Sequence, residues 1–307
     1  MISVLITFVM GFSAEDFSFR VEMLKDTVYQ MMTVVPRVIL KNVSGDTLYV
    51  KGPDYKLHLL DSEGEELERR VIVEDLVVRT GRGWRVMLPG DSAVNFGDEF
   101  FYLYAGSVGL EPGEYIVRCE GSVSVKGYGE LELPEVEDTF WVVEPEGEER
   151  EAFEFLRKFY SPSMGYSLEI SRRILRDKLR QMGETSEKPS KIIQAGLLEY
   201  YREFLRRYPN SVYTPIVLDL YEFTCYGAGC PKEEWFGAYR RLILDFPDTY
   251  EAYTGVRGLT ELVKGSGAKV TEEEVISILR EVVEKHPNSL AALGVRKVIS
   301  EEELEKQ

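Results

Sequence analysis

Two cysteines form the pair of side chains whose type and spacing most directly invite chemistry. Cys225 and Cys230 flank Tyr226-Gly227-Ala228-Gly229, a Gly-rich turn between two expected helices. A turn of this kind lets two Cα atoms approach the ~5.5 Å that a disulfide requires. The expectation is a disulfide between Cys225 and Cys230, with Cys119 free and buried on the apolar face of a strand. A loop this short adds only a little chain-entropy stabilisation. Metal binding is the weaker reading, because two thiolates have no second pair of ligands beside them in the sequence. No metal or cofactor is expected.

The other candidates for chemistry are sparse. His58 and His286 are the two histidines of the sequence, which leaves almost no material for histidine acid–base work or zinc hydrolysis. His58 stands between Leu57 and Leu59 in a strand pattern and is expected to face solvent. His286 occupies the slot that Tyr208 and Phe246 fill elsewhere and is expected to pack. There is no Gly-x-Ser-x-Gly elbow, no His-Glu-x-x-His and no phosphate loop. Gly81-Arg82-Gly83 and Gly127-Tyr128-Gly129 read as hairpin turns. The acidic clusters Glu63, Glu65, Glu66, Glu68 and Glu135, Glu137, Asp138 lack calcium-loop spacing and read as solvated turns. Asn42-Val43-Ser44 is a glycosylation sequon in a turn. No catalytic residue is expected.

The elements that must hold these residues change character midway along the 307-residue chain. From Phe17 to about Val143 the pattern has period two: Phe17, Phe19, Val21 and Met23 alternate with Ser18, Arg20 and Glu22. Short apolar runs recur at Leu48–Val50, Tyr55–Leu60, Val71–Val78, Phe100–Tyr104, Tyr115–Cys119 and Phe140–Val143. Ser44-Gly45-Asp46, Gly52-Pro53-Asp54, Pro89-Gly90-Asp91 and Pro112-Gly113 punctuate them. Many short strands so punctuated read as an antiparallel β-sandwich over residues 16–143. Residues 144–148 are a polar linker broken by Pro and Gly.

Beyond the linker the period is helical. Trp235, Phe236, Tyr239, Leu242, Ile243 and Phe246 share one face; Val275, Leu279, Val282 and Leu197, Tyr201, Phe204 repeat it. Three such stretches end in one phrase: Tyr208-Pro209-Asn210-Ser211, Phe246-Pro247-Asp248-Thr249 and His286-Pro287-Asn288-Ser289, with prolines 38 and 40 residues apart. A period of that size marks stacked helix pairs, an α-solenoid over residues 149–307. Thr271 with Glu274, and Ser300 with Glu303, have capping-box spacing. Gly183–Ser190 reads as a polar loop.

The first fourteen residues carry no charge, and Ile2–Met10 is a mostly apolar run. It is far short of the ~20 residues of a spanning helix. Its length fits a secretory signal over residues 1–15, with Gly11-Phe12-Ser13-Ala14 offering small residues for cleavage. A buried first strand is the alternative. The signal reading implies an extracytoplasmic protein, periplasmic, envelope-bound or secreted, with no integral membrane segment after signal removal. The net charge of −16 argues against nucleic acid, whose binding needs clustered Lys and Arg.

Two resemblances bear on architecture. Lys41-Asn42-Val43-Ser44-Gly45-Asp46 followed by Leu48-Tyr49-Val50 resembles the second-to-third strand hairpin of bacterial immunoglobulin-like accessory domains. Leu110-Glu111-Pro112-Gly113-Glu114-Tyr115 resembles the tyrosine corner of immunoglobulin and fibronectin type III folds, in which the Tyr hydroxyl bonds back to nearby backbone. The helical part resembles tetratricopeptide repeats of the bacterial envelope type, although its period is longer and Trp235 stands where a small residue is usual. The expected fold is thus multidomain, all-β plus all-α: an immunoglobulin-like β-sandwich followed by a solenoid of tetratricopeptide-like helix hairpins.

The function these features imply is a non-enzymatic scaffold or adaptor of the cell envelope or secreted fraction that binds a protein or peptide partner. Tyr213, Tyr250 and Tyr253, which follow the recurrent phrase, form the candidate partner surface; tyrosines wedged between stacked repeats are the alternative. The rival function is an accessory or inhibitory module for an exported peptidase, acting through the sandwich. That role is implied by the resemblance of the sandwich.

Overall fold

A computed structural model describes residues 12–68, 78–79, 83–96, 110–160, 176–177, 189–264 and 270–298. The apolar run at Ile2–Met10, the strand runs at 71–77 and 100–104, most of the loop at 183–190 and the Ser300–Glu303 pair lie outside these residues. The chain divides into two compact units, Met1–Glu144 and Pro145–Gln307.

The first unit is built of β-strands: β1 (Phe17–Met23), β2 (Thr27–Tyr29), β3 (Pro36–Asn42), β4 (Leu48–Asp61), β5 (Val78–Arg79), β6 (Arg85–Met87), β7 (Ser92–Phe96), β8 (Gly113–Val125) and β9 (Gly129–Val143). They form two sheets. The smaller has the order β1-β3-β7. The larger runs β2-β9-β8-β4-β5, with β6 also on β4, and curls as a half-barrel. All pairings are antiparallel except β2 with β9. The period-two pattern explains the core: Phe17, Phe19, Val21, Val38 and Leu40 pack with Tyr55, Leu57, Leu59, Val117, Cys119, Phe140 and Val142.

Three local readings need correction. Gly52-Pro53-Asp54 does not end a strand; it is a bulge inside β4, where the register with β8 shifts between Lys51 and Asp54. A bulge is one of the few places in a sheet that tolerates a proline, which has no N–H for the ladder. The Lys41–Asp46 segment is not a hairpin, because β3 and β4 belong to different sheets. The acidic run at Glu135–Asp138 is no turn but belongs to β9. Arg118 Nε lies 2.7 Å from Glu137 Oε1 and 3.3 Å from Glu135 Oε1, and Met23 N–H donates to Asp138 Oδ2 at 2.6 Å. A second shift, between β8 and β9, has its extra residue on β9 and adjoins Gly121, where a Cβ would lie 2.9 Å from Asp54 O and 3.1 Å from Phe19 Cζ.

Asn42 explains the crossing from β3 to β4. It is fully buried. Its Nδ2 donates to Asp46 O at 2.8 Å and Met87 O at 3.0 Å, and its Oδ1 accepts from Ser44 N–H and Ser44 Oγ. Its main chain bonds Asp91 O and Gly90 N–H in the turn between β6 and β7. One side chain thus holds two sheet-to-sheet connections, and the sequon asparagine has no free amide nitrogen for a glycan in the folded state.

The residues of the corner behave as expected: Tyr115 O–H donates to Glu111 O at 2.8 Å, and its ring stacks on Phe140 with centroids 5.6 Å apart. Tyr115→Phe keeps the ring and removes the bond. We expect a loss of about 1 kcal/mol, measured by urea unfolding, with the β-type circular dichroism unchanged.

The second unit holds seven helices among the described residues: α1 (Gly147–Leu156), α2 (Pro189–Arg207), α3 (Thr214–Ala228), α4 (Lys232–Asp245), α5 (Tyr250–Lys264), α6 (Glu272–Lys285) and α7 (Leu290–Val298). Each packs on the next, and α3 also meets α5, α4 meets α6, and α5 meets α7. The recurrent phrase makes one turn three times. Ser211 N–H donates to Tyr208 O, Thr249 N–H to Phe246 O and Ser289 N–H to His286 O, at 3.4, 3.1 and 3.1 Å. In the last two, the hydroxyl then caps the next helix: Thr249 Oγ1 accepts from Ala252 N–H and Ser289 Oγ from Ala292 N–H. The capping box of Thr271 and Glu274 opens α6.

Candidate functional site

The two thiols of the α3–α4 turn are brought together by the way α3 ends. Gly229 sits at φ +74°, the left-handed conformation that glycine adopts without strain. That turns the chain so that Cys230 N–H donates to Cys225 O at 2.9 Å and Gly229 N–H to Tyr226 O at 3.1 Å. This is the Schellman closure, which folds the residue two beyond the cap back over the last helical turn. In most proteins the two positions so apposed carry apolar side chains; here both are cysteine. Pro231 then caps α4.

The first turn of α4 supplies the third member. Glu234 places a carboxylate oxygen among the two sulfurs, all three ligand atoms within 4.8 Å of one another, and Cys225 Sγ is 3.9 Å from Glu234 Oε2. Two other helices hold that carboxylate still. Tyr221 O–H, from α3, and Arg202 Nη2, from α2, each donate to Glu234 Oε2 at 2.6 Å, and Arg202 Nε donates to Tyr221 Oη at 3.3 Å. Cys225 is buried, and Cys230 and Glu234 are half-buried. The rings of Tyr226 and Trp235 meet edge-on beside the turn, 5.5 Å apart.

The electrostatics follow from these contacts. The Tyr221 and Arg202 hydrogen bonds hold the Glu234 carboxyl below its ordinary range. Burial, then sharing of hydrogen with Cys230, pushes the Cys225 thiol up to about 12. Cys225 is therefore a thiol at neutral pH, the opposite of an activated nucleophile, whose pKa must fall. Cys225 and Cys230 carry no bond to each other, and Cys119 is a third free thiol, buried in the β core and pushed up to about 12 by burial.

The tyrosines that follow the phrase are placed differently from one another. Tyr213 is fully buried, its ring 6.2 Å from that of Phe153. Tyr250 and Tyr253 are half-buried and stacked on each other at 5.8 Å, and Lys297 Nζ donates to Tyr253 Oη at 3.1 Å. The exposed aromatic side chains of the described helices are instead Phe223 (76%) and Tyr226, on α3. Neither has a sequence signal beyond its place one turn or less before the glycines.

The remaining candidates have structural partners. His58 faces outward, with Nδ1 3.1 Å from Glu66 Oε1 and Nε2 3.6 Å from Glu120 Oε1. His286 closes α6 through its N–H to Val282 O. An open depression of about 460 Å³ on the larger sheet is lined by Asp54, Lys56, Glu120, Glu130, Glu132 and Glu135, several of them engaged with Lys56, Arg118 or Ser122. Inside the helical unit, Glu222 is buried and receives a hydrogen bond from Tyr239. Its neighbour Asp219, which keeps an accessible edge, is raised first by burial and then by Glu251.

Among the described residues no helix is long and apolar enough to cross a membrane. No family model and no curated protein matches the sequence. Solved structures with partial likeness include the β-glucosidase EmGH1 of Erythrobacter marinus (17% identity, TM-score 0.21, covering 41% of this chain and 15% of that one). Another is the sporulation control protein Spo0M of Bacillus subtilis (13% identity, TM-score 0.24, 47% and 54%). A third is the native conformation of α2-macroglobulin from Escherichia coli (10% identity, TM-score 0.25, 91% and 20%). The chain spans well under two thirds of each of these proteins, and at such scores they assign it neither family nor function.

Proposed function

We propose that this chain is a non-enzymatic protein-binding scaffold of the cell envelope or secreted fraction, with an immunoglobulin-like sandwich and tetratricopeptide-like helix pairs. The observation that carries the reading is a row of apolar side chains along one strand of the β unit. Trp84, Val86 and Leu88 are each about half exposed, while Met87 between them is buried. Tyr49, opposite Val86 in register, is 50% exposed. Among the described residues β6 pairs with β4 alone. An apolar row beside a strand edge offers backbone hydrogen bonds and side-chain contacts to an added strand.

Charge narrows the occupant. Lys51 shares the exposed face of β4 with Tyr49, and Lys126 Nζ lies 5.5 Å from the Tyr49 ring centroid. In a chain of net charge −16 this is a local reversal of sign. The fitting partner is an extended protein segment that carries apolar and acidic side chains together on the one face that meets this row. The threefold turn and the contacts between alternate helices support the helix-pair reading, and the apolar run at Ile2–Met10 supports the compartment.

An array of short peptides on the intact chain tests this. Preferred peptides should carry apolar and acidic residues at positions two apart, lose binding when alternate backbone amides are methylated, and bind the Trp84→Ser/Val86→Thr variant at least ~10-fold more weakly. Absence of binders, or binders indifferent to the double substitution in a variant with unchanged melting, overturns it. The accessory or inhibitory role toward an exported peptidase uses the same face. It is favoured where a preferred peptide matches a peptidase surface and the chain alters that peptidase's rate.

A further inference from the structure

We infer that Cys225, Cys230 and Glu234 form a binding site for a thiophilic divalent metal ion such as Zn²⁺. Three observations converge. The Schellman closure holds both sulfurs on the same side of the turn through main-chain bonds that do not depend on the side chains. Glu234 brings a hard oxygen to within 4.8 Å of both, a spacing that a small inward adjustment converts to the edges of a tetrahedron with Zn–S near 2.3 Å and Zn–O near 2.0–2.2 Å. And the carboxylate is itself fixed, by Tyr221 and Arg202 at 2.6 Å each, the outer support that ligating carboxylates characteristically have.

The third observation separates this site from a structural disulfide. A disulfide would consume the two sulfurs and leave the carboxylate to Tyr221 and Arg202 alone. A divalent ion uses all three groups, and its charge balances: two thiolates and one carboxylate give −3, the ion gives +2, and Arg202 gives +1. Binding breaks two S–H bonds and forms two metal–sulfur bonds and one metal–oxygen bond. Two protons leave to solvent, and no electron is transferred. The half-buried Cys230 and Glu234 leave a side through which an ion can enter and where solvent can occupy a fourth position.

The full chain, reduced and then freed of reductant, is titrated with Co²⁺ as a spectroscopic probe and with Zn²⁺ as competitor. One equivalent of Co²⁺ should produce a thiolate-to-cobalt charge-transfer band, which Zn²⁺ abolishes, with release of about two protons per ion in weak buffer. Cys230→Ser, at a half-buried position, should remove the band while helical circular dichroism is retained. Glu234→Gln should keep some thiolate character but weaken binding by about 10-fold or more. No band, or wild-type affinity in Glu234→Gln, overturns the site. So does a chain isolated with a Cys225–Cys230 disulfide that mild reductant does not open.

Discussion

Replacing Asn42 by Ala lowers the stability of the β unit by about 3 kcal/mol and its melting temperature by roughly 10 °C. The residue is fully buried, and its two amide hydrogens serve the carbonyls of Asp46 and Met87. Alanine abandons both acceptors without admitting water, so each carries its desolvation cost of about 1–3 kcal/mol. Asn42→Asp tests the mechanism more sharply. A carboxylate there would face two carbonyl oxygens, and its pKa must rise. The native state would then hold a proton that the unfolded chain has lost, so stability would fall as pH rises above the ordinary Asp range and recover on acidification. Ser44→Ala, whose bonds are largely solvent-exposed, should cost under ~1 kcal/mol. Thermal melts followed by tryptophan fluorescence at pH 5 and pH 8 distinguish the three. Equal melting of Asn42→Ala and the parent would show that the clasp does not hold the crossings.

The helical unit should lose stability as pH rises, and Glu222 should be the main cause. Burial first, then the neighbouring Asp219, pushes its carboxyl up to about 9, against a small opposing effect of the Tyr239 hydrogen bond. Below its unfolded value of 4.5 the group is neutral in both states and costs nothing. Between 4.5 and about 9 the unfolded chain ionises while the folded one keeps its proton, so stability falls by at most about 1.4 kcal/mol per pH unit. Above that window the loss is complete. Asp219, raised to about 7 by burial and by Glu251, acts in the same direction. Glu222→Gln preserves shape and the acceptor for Tyr239 and has no proton to lose. It should match the parent near pH 4.5 and exceed its urea midpoint clearly at pH 8, read by helical circular dichroism. Parallel pH profiles of the two chains would remove Glu222 as the cause.

Where sequence reading succeeded, the determinants were local. The tyrosine corner spans residues Glu111–Tyr115 and the capping box spans Thr271–Glu274, whereas Tyr226, Gly227 and Ala228, read as a turn, continue α3, and Gly229 alone ends it. Its failures share a different cause. Gly52-Pro53-Asp54 carries a turn signature, yet β8 continues past it and forces a bulge in place of a break. The acidic stretch of β9 reads as solvent-exposed turn until Arg118, 19 residues away, is seen beside Glu137. Likewise the thiols were legible but their carboxylate was not. Glu234 is assembled with Arg202, 32 residues earlier, by the packing of α2, α3 and α4, and no periodicity encodes that meeting. Tyr213 shows the same limit, since its place after the phrase fixes its helix but not its burial.

The parallel pairing of β2 with β9 sets how the β unit resists tension. β2 lies near the start of the unit and β9 is its last strand, with Thr27–Tyr29 set against Trp141–Val143. Bonds from Trp141 N–H to Asp26 O and from Gln30 N–H to Val143 O extend the contact at both ends. Tension that draws the two strands toward opposite ends slides one along the other, so these bonds share the force in shear. At the open end of an antiparallel hairpin they would instead rupture in succession, each carrying the whole load in its turn. A pull on the C-terminal end of β9 meets this clasp directly, whereas one on the N-terminal end must first draw out β1, whose Phe17, Phe19, Val21 and Met23 sit in the core.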